Sequence, residues 1–320
     1  MKLSADQTRV RDVLAVSDLS DRQFTTLLDL ADLMKNEPNR FLDTLAGQTV
    51  VCFFQKPSTR TRVSLHGAAA RLGAVPLLLR PDELQLGRGE PIADTARVLS
   101  GYACAIAARV FSQDDLIEMS RYASVPVINA LSDQHHPCQA LADLLTIREV
   151  FGTLAGVRLA YVGEGNNVAH SLMEAGALCG MHVVVASPDH LGPDARILAR
   201  AAEVAAEHGG SIQVVSDPRT AAHGASVVYT DVWVSMGDEQ DAAAHQHALA
   251  TYQVDGDLMA EAAPDAVFMH CLPAHRGQEV TADVIDGPQS VVWAQAANRL
   301  PTEQALIYAL VTGDWTWEPS

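Results

Sequence analysis

Short apolar runs alternate along this chain with longer stretches whose apolar residues recur at helical spacing. Thr49–Phe54, Val75–Leu79, Ala105–Arg109 and Val125–Asn129 read as strands. Between and after them, the spacing predicts helices over Ser58–Leu72, Ile92–Tyr102 and Cys138–Val150, the last with leucines at 141, 144 and 145. The rhythm then repeats. Strands are expected at Arg158–Gly163, His182–Ala186, Ser211–Val215, Ser226–Thr230, Val267–His270 and Ser290–Trp293, with helices at Val168–Cys179 and Ala195–Glu207. Strands that alternate with helices imply α/β architecture with parallel sheets covered on both faces.

Length sharpens this picture. A chain of 320 residues suits two doubly wound domains rather than one core. The turn-rich segment Gly152–Gly156 places the boundary, giving domains over 1–150 and 151–300 with a C-terminal helix, about 301–320, packed back on the first. The net charge is −17, and only three of the 22 basic residues are lysines (Lys2, Lys35 and Lys56). That balance argues against a nucleic-acid partner, which needs a basic face to displace counterions, but leaves room for a local arginine cluster that binds a small anion. The five cysteines, 52, 104, 138, 179 and 271, are odd in number and include no C-x-x-C pair, so neither a zinc ribbon nor a disulfide framework is indicated. Met1–Asp6 lacks the apolar core of a signal peptide, and no run approaches the ~18 apolar residues of a membrane span. The expectation is a reduced, cytoplasmic protein.

Ser58-Thr59-Arg60-Thr61-Arg62 carries the strongest local chemistry, directly after the first strand and opening a helix. Helix-start amides, the helix dipole, hydroxyls and guanidinium groups there make an anion cradle. The alternative is a helix capped by Ser or Thr with a solvated basic turn. The segment lacks the G-x-x-x-x-G-K-[ST] spacing of a nucleotide P-loop. Gly163-Glu164-Gly165-Asn166-Asn167 opens like a dinucleotide loop, yet the third glycine of G-x-G-x-x-G would fall at Val168, so a nicotinamide-dependent dehydrogenase is the weaker reading.

Ser58–Arg62 resembles the phosphate-binding signature of the aspartate and ornithine carbamoyltransferases. Further signatures follow in that family's order: Arg109 at a strand end, His136-Pro137-Cys138-Gln139, Asp231-Val232-Trp233-Val234-Ser235-Met236-Gly237, His270-Cys271-Leu272-Pro273 and Asn298-Arg299. The resemblance runs from about Leu14 to Leu310 and implies two doubly wound domains with the active site in the cleft between them. It also implies direct transfer of a carbamoyl group from carbamoyl phosphate to an amine, without cofactor or metal. Ser58, Thr59, Arg60, Thr61 and Arg109 are then expected on carbamoyl phosphate. His136, Gln139 and Arg299 are expected at its carbamoyl group, where His136 donates to the carbonyl oxygen and Gln139 accepts from the amide. The backbone carbonyls of Cys271 and Leu272 would take the carbamoyl NH2, with Cys271 beside the incoming amine rather than acting as a nucleophile. Asp-x-Trp-x-Ser-Met-Gly and His-Cys-Leu-Pro look like the ornithine branch, which places Asn167, Asp231, Ser235 and Met236 on the amino-acid end of L-ornithine. Gln85, in a glycine-flanked loop, is similar to the residue that reaches a neighbouring subunit's site in a homotrimer; an ordinary surface loop is the alternative.

Three positions depart from the family pattern. Gln55 and Ala297 stand where glutamates are usual, and Pro301 where a histidine is common. The missing carboxylates would otherwise orient Arg60 or Arg299. These changes keep open a paralogue that carbamoylates another amine, or a catalytically silent homologue retained for binding.

Overall fold

A computed structural model of the protein describes residues 11–80, 89–234 and 242–316. It forms two compact units, one from the chain up to Ser132 together with the segment from Leu300 onward, the other from Asp133–Arg299.

In the first unit, α1 (Asp21–Asn36) precedes β1 (Thr49–Phe54), α2 (Arg60–Arg71), β2 (Val75–Leu79), α3 (Ile92–Ser100), β3 (Ala105–Arg109), α4 (Gln113–Tyr122) and β4 (Val127–Leu131). The four strands are parallel in the order β2-β1-β3-β4. Val13 pairs with Ile128 and so covers the β4 edge. Val51, Phe53, Ile106 and Ala108 of the central strands, Leu99 of α3 and Leu116 and Met119 of α4 build the core. β1, β3 and β4 are buried on both sides and so read as continuous apolar runs rather than alternating ones, whereas edge strand β2 is partly exposed.

The second unit begins with α5 (Pro137–Phe151), which lies ahead of the Gly152–Gly156 turn. There follow β5 (Arg158–Val162), α6 (Asn167–Leu178), β6 (His182–Ala186), α7 (Ala195–Glu207), β7 (Ser211–Val215), α8 (Pro218–Ala222) and β8 (Val227–Thr230). After these come α9 (Ala242–Leu249), α10 (Gly256–Met259), β9 (Val267–His270), α11 (Ala282–Ile285) and α12 (Val292–Thr312). The five strands are parallel in the order β7-β6-β5-β8-β9. Ala160, Val162, Val228, Phe268, Ile285 and Val292 anchor the core.

α12 runs on from the second unit into the first, where Tyr308 meets Phe41 edge-on at 5.2 Å. The strand expected at Ser290–Trp293 is absent. Ser290 makes one bridge to Phe268, and helix begins at Val292, because the run Val292-Trp293-Ala294-Gln295-Ala296-Ala297 is built mostly of good helix formers.

Candidate active site

In a parallel α/β sheet, ligands bind beyond the carboxyl ends of the strands, where successive strands turn to opposite sides. Each sheet has one such reversal. In the first it lies between β1 and β3, in the second between β5 and β8.

At the first reversal stand the two segments singled out from sequence. Arg60 and Thr61 open α2 just after β1, and Arg109 closes β3 in register with Phe54. Thr61 and Arg109 are buried, Ser58 and Arg60 half-buried and Thr59 exposed. Thr59 makes no side-chain cap to the helix. The capped-helix reading therefore lacks the hydrogen bond it calls for at Thr59. Gln55 is tied into the same corner. Its backbone N–H donates to the Arg109 carbonyl at 2.8 Å, its Oε1 accepts from the Phe111 N–H at 2.7 Å, and its Nε2 donates to Asp115 Oδ2 at 3.2 Å. A glutamate could not donate that last bond, so glutamine here is matched to Asp115.

Within the second unit, His136 is the N-cap residue of α5, and its backbone N–H donates to Ser171 Oγ at 2.8 Å. Gln139 lies one turn on and buried, and its Oε1 accepts from Arg299 Nη1 at 2.7 Å. The oxygen expected to accept from a carbamoyl amide thus already accepts from Arg299. Arg299 is only 2% exposed, and Gln139 orients it although Ala297 brings no carboxylate.

Asp231 ends β8 at the second reversal. Its Oδ2 accepts from Asn166 Nδ2 at 3.0 Å, and its Oδ1 from the Val232 N–H and the Cys271 thiol, each at 2.8 Å. Sequence reading missed Asn166. Its Oδ1 caps α6 through the N–H groups of Val168 and Ala169 while its amide steadies Asp231. An asparagine between a strand and a helix is a capping signal, and that signal was available. Asn167 stands beside it as the first residue of α6. After β9, Leu272 is the one non-glycine residue with positive φ among the described residues, at 58°. Its N–H donates to His270 Nδ1 at 2.8 Å. Asp231, His270 and Cys271 bring ligand-type atoms within 4.8 Å of one another, but the hydrogen bonds just given engage all three side chains. Ser235, Met236 and Gln85 lie outside the described residues.

Gly165 answers the dinucleotide question. A Cβ there would meet Pro193 N at 2.2 Å and Gly192 C at 2.5 Å. The close approach this glycine permits is to the chain's own backbone, and a pyrophosphate is not needed to explain it.

Residues 11–149 match the carbamoyl-phosphate-binding domain of the aspartate/ornithine carbamoyltransferases, and residues 155–310 their aspartate/ornithine-binding domain. The chain is 54% identical to an ornithine carbamoyltransferase of Acidothermus cellulolyticus over 94% of its length and 97% of the relative's. It is 52% identical to an anabolic ornithine carbamoyltransferase of Pyrococcus furiosus, over 95% of this chain and 96% of that one. The solved ornithine carbamoyltransferase structure from Pyrococcus furiosus superposes with a TM-score of 0.90 at 51% identity, covering 97% of this chain and 99% of its own.

Proposed function

This chain belongs to the aspartate/ornithine carbamoyltransferase family, and we propose that within it the chain carbamoylates L-ornithine to give L-citrulline and phosphate. The observation that carries the choice of acceptor is that relatives 54% and 52% identical over almost the whole chain are ornithine carbamoyltransferases. Asp231, braced by Asn166 and Cys271, supports it by offering a fixed carboxylate for the ammonium group of an amino acid.

In this reading Ser58, Thr59, Arg60, Thr61 and Arg109 hold the phosphate, and His136, Gln139 and Arg299 surround the carbamoyl oxygen. The carbonyls of Cys271 and Leu272 face the carbamoyl NH2, and Asn167, Asp231, Ser235 and Met236 take the amino-acid end of ornithine. The side-chain amine attacks as the free base. An alkyl amine titrates near ~10.4, so neighbouring arginines and exclusion of water must favour loss of its proton. The nitrogen bonds to the carbonyl carbon, the carbonyl electrons move to oxygen, and the tetrahedral species collapses by breaking the bond to phosphate. The amine proton leaves with the phosphate. Thr61, Arg109, His136 and Arg299 are the donors to the transient oxyanion, and losing one such donor costs ~3–4 kcal/mol.

The assay is citrulline formation from carbamoyl phosphate and L-ornithine, beside putrescine, N-acetylornithine, L-lysine and L-aspartate. Turnover with ornithine alone is expected, and Arg109→Ala should lower it at least ~100-fold. Near-wild-type turnover in Arg109→Ala would overturn the site assignment, and turnover with another amine would overturn the acceptor.

We place this activity in a cytoplasmic homotrimer in which Gln85 serves a neighbouring subunit's site. Support comes from exposed apolar residues of the first unit: Val75 and Leu77 on edge strand β2, Val98 on α3, and Tyr102, which is 74% exposed. The five cysteines are free, and no helix among the described residues is long and apolar enough to cross a membrane.

A further inference from the structure

Asp143 lies one turn beyond Gln139 on α5 and is wholly enclosed. Its Oδ1 accepts from Gln139 Nε2 at 2.8 Å and from Gln295 Nε2 at 2.7 Å, and its Oδ2 accepts from the Tyr229 hydroxyl at 3.1 Å. An ionised carboxylate only accepts, so it dictates which way each glutamine amide points. Gln139 is turned with its oxygen toward Arg299 Nη1, at 2.7 Å. Gln295 is turned with its oxygen toward the backbone N–H of His270, at 3.0 Å, immediately before the Cys271–Leu272 turn. One buried group thus orients both the guanidinium proposed for the carbamoyl oxygen and the backbone proposed for the carbamoyl NH2.

We infer that Asp143 is a positioning residue for carbamoyl transfer, setting Arg299 through Gln139 and the His270–Leu272 backbone through Gln295. This rests on the carbamoyltransferase reading above and gives Asp143 no contact with substrate.

The arrangement has a pH consequence. Burial pushes the Asp143 carboxyl up to about 7, against the opposing pull of Gln139, Gln295, Tyr229 and the Arg299 charge. Tyr229 stacks on Tyr161, and after burial the neighbouring carboxylates of Asp143 and Asp231 disfavour its ionisation. Both tyrosines are held well above their ordinary range by burial, so neither titrates near neutrality. A protonated Asp143 puts a donor on one oxygen, which then faces the Tyr229 hydroxyl or the two glutamine amides, so the set of three incoming donors must rearrange. Positioning is therefore intact above about 7 and is lost as pH falls through that value.

The test is kcat for citrulline formation, with both substrates saturating, across the neutral range for the wild type, Asp143→Asn and Tyr229→Phe. The wild type should lose kcat on the acid side of about 7. Asp143→Asn, which keeps the shape without the charge, should lower the alkaline plateau by ~10-fold or more and abolish that limb. Tyr229→Phe removes one donor that stabilises the carboxylate, so its limb should move to higher pH. Tyr229→Phe also carries the test if Asp143→Asn does not fold. A limb that keeps its place and height in Asp143→Asn, or stays in place in Tyr229→Phe, overturns the inference while wild-type activity upholds the function. A wild type that forms no citrulline overturns the function reading and this inference with it.

Discussion

At the scale of single residues, the sequence motifs show which side chains bear chemistry but not which ones aim them. Thr61 stands in a segment whose residue types point to an anion, whereas Arg109, His136, Asp231, Cys271 and Arg299 are marked out chiefly by resemblance to the carbamoyltransferase family. Asp143 and Asn166 do their work through bonds to Gln295, Tyr229 and Asp231, which lie far away in sequence and meet them only in the folded chain. Gln55 shows the opposite limit. Against the family pattern it looks like a defect, yet it pairs by hydrogen bond with Asp115. Gln55→Glu would set two carboxylates against each other and remove a donor beside Arg109. We expect it to raise KM for carbamoyl phosphate by ~3–10-fold, the equivalent of one modest hydrogen bond. Asp115→Asn in the same chain should restore most of that loss. Steady-state kinetics on the double-mutant cycle provide the check, and additive effects of the two substitutions would refute the pairing.

At the scale of elements, alternation made the parallel strands legible, because a doubly buried strand shows itself as an apolar run. The same criterion misread Ser290–Trp293, where the apolar residues start α12 instead, with Val292 buried and Trp293 exposed. α1 has a capping box between Ser20 and Gln23 but no preceding strand among the described residues, so the alternating pattern did not call for it. The start of α6 was legible as a glycine turn, though not the purpose of its glycine. Gly165→Ala would drive a methyl into the Gly192–Pro193 backbone and should cost ~2–4 kcal/mol. Gly192→Ala meets nothing nearer than Asp189 O at 3.6 Å and should stay within ~1 kcal/mol of wild type. Urea unfolding of the two variants checks this, and equal midpoints would refute it.

At the scale of the whole molecule, composition limited the partners through a net charge of −17, but it could not show which surface would bind another copy in the proposed trimer. The exposed residues of β2 and α3 supply a candidate. Light scattering coupled to size exclusion should give three times the chain mass of 34.2 kDa, and Val98→Asp with Tyr102→Asp should shift the protein toward monomer. A wild-type monomer at enzyme-assay concentration would refute the trimer. The division of the chain has a separate consequence for how the protein is made. Asp133–Arg299 is continuous, whereas the unit that carries Ser58–Arg62 and Arg109 is completed by residues from Leu300 onward. A ribosome therefore releases everything the second unit needs before it releases the last part of the first. The earliest-made half must wait, incomplete, until the segment from Leu300 has emerged, and a chain cut short just after Arg299 would leave its N-terminal half unfinished rather than the part nearest the cut.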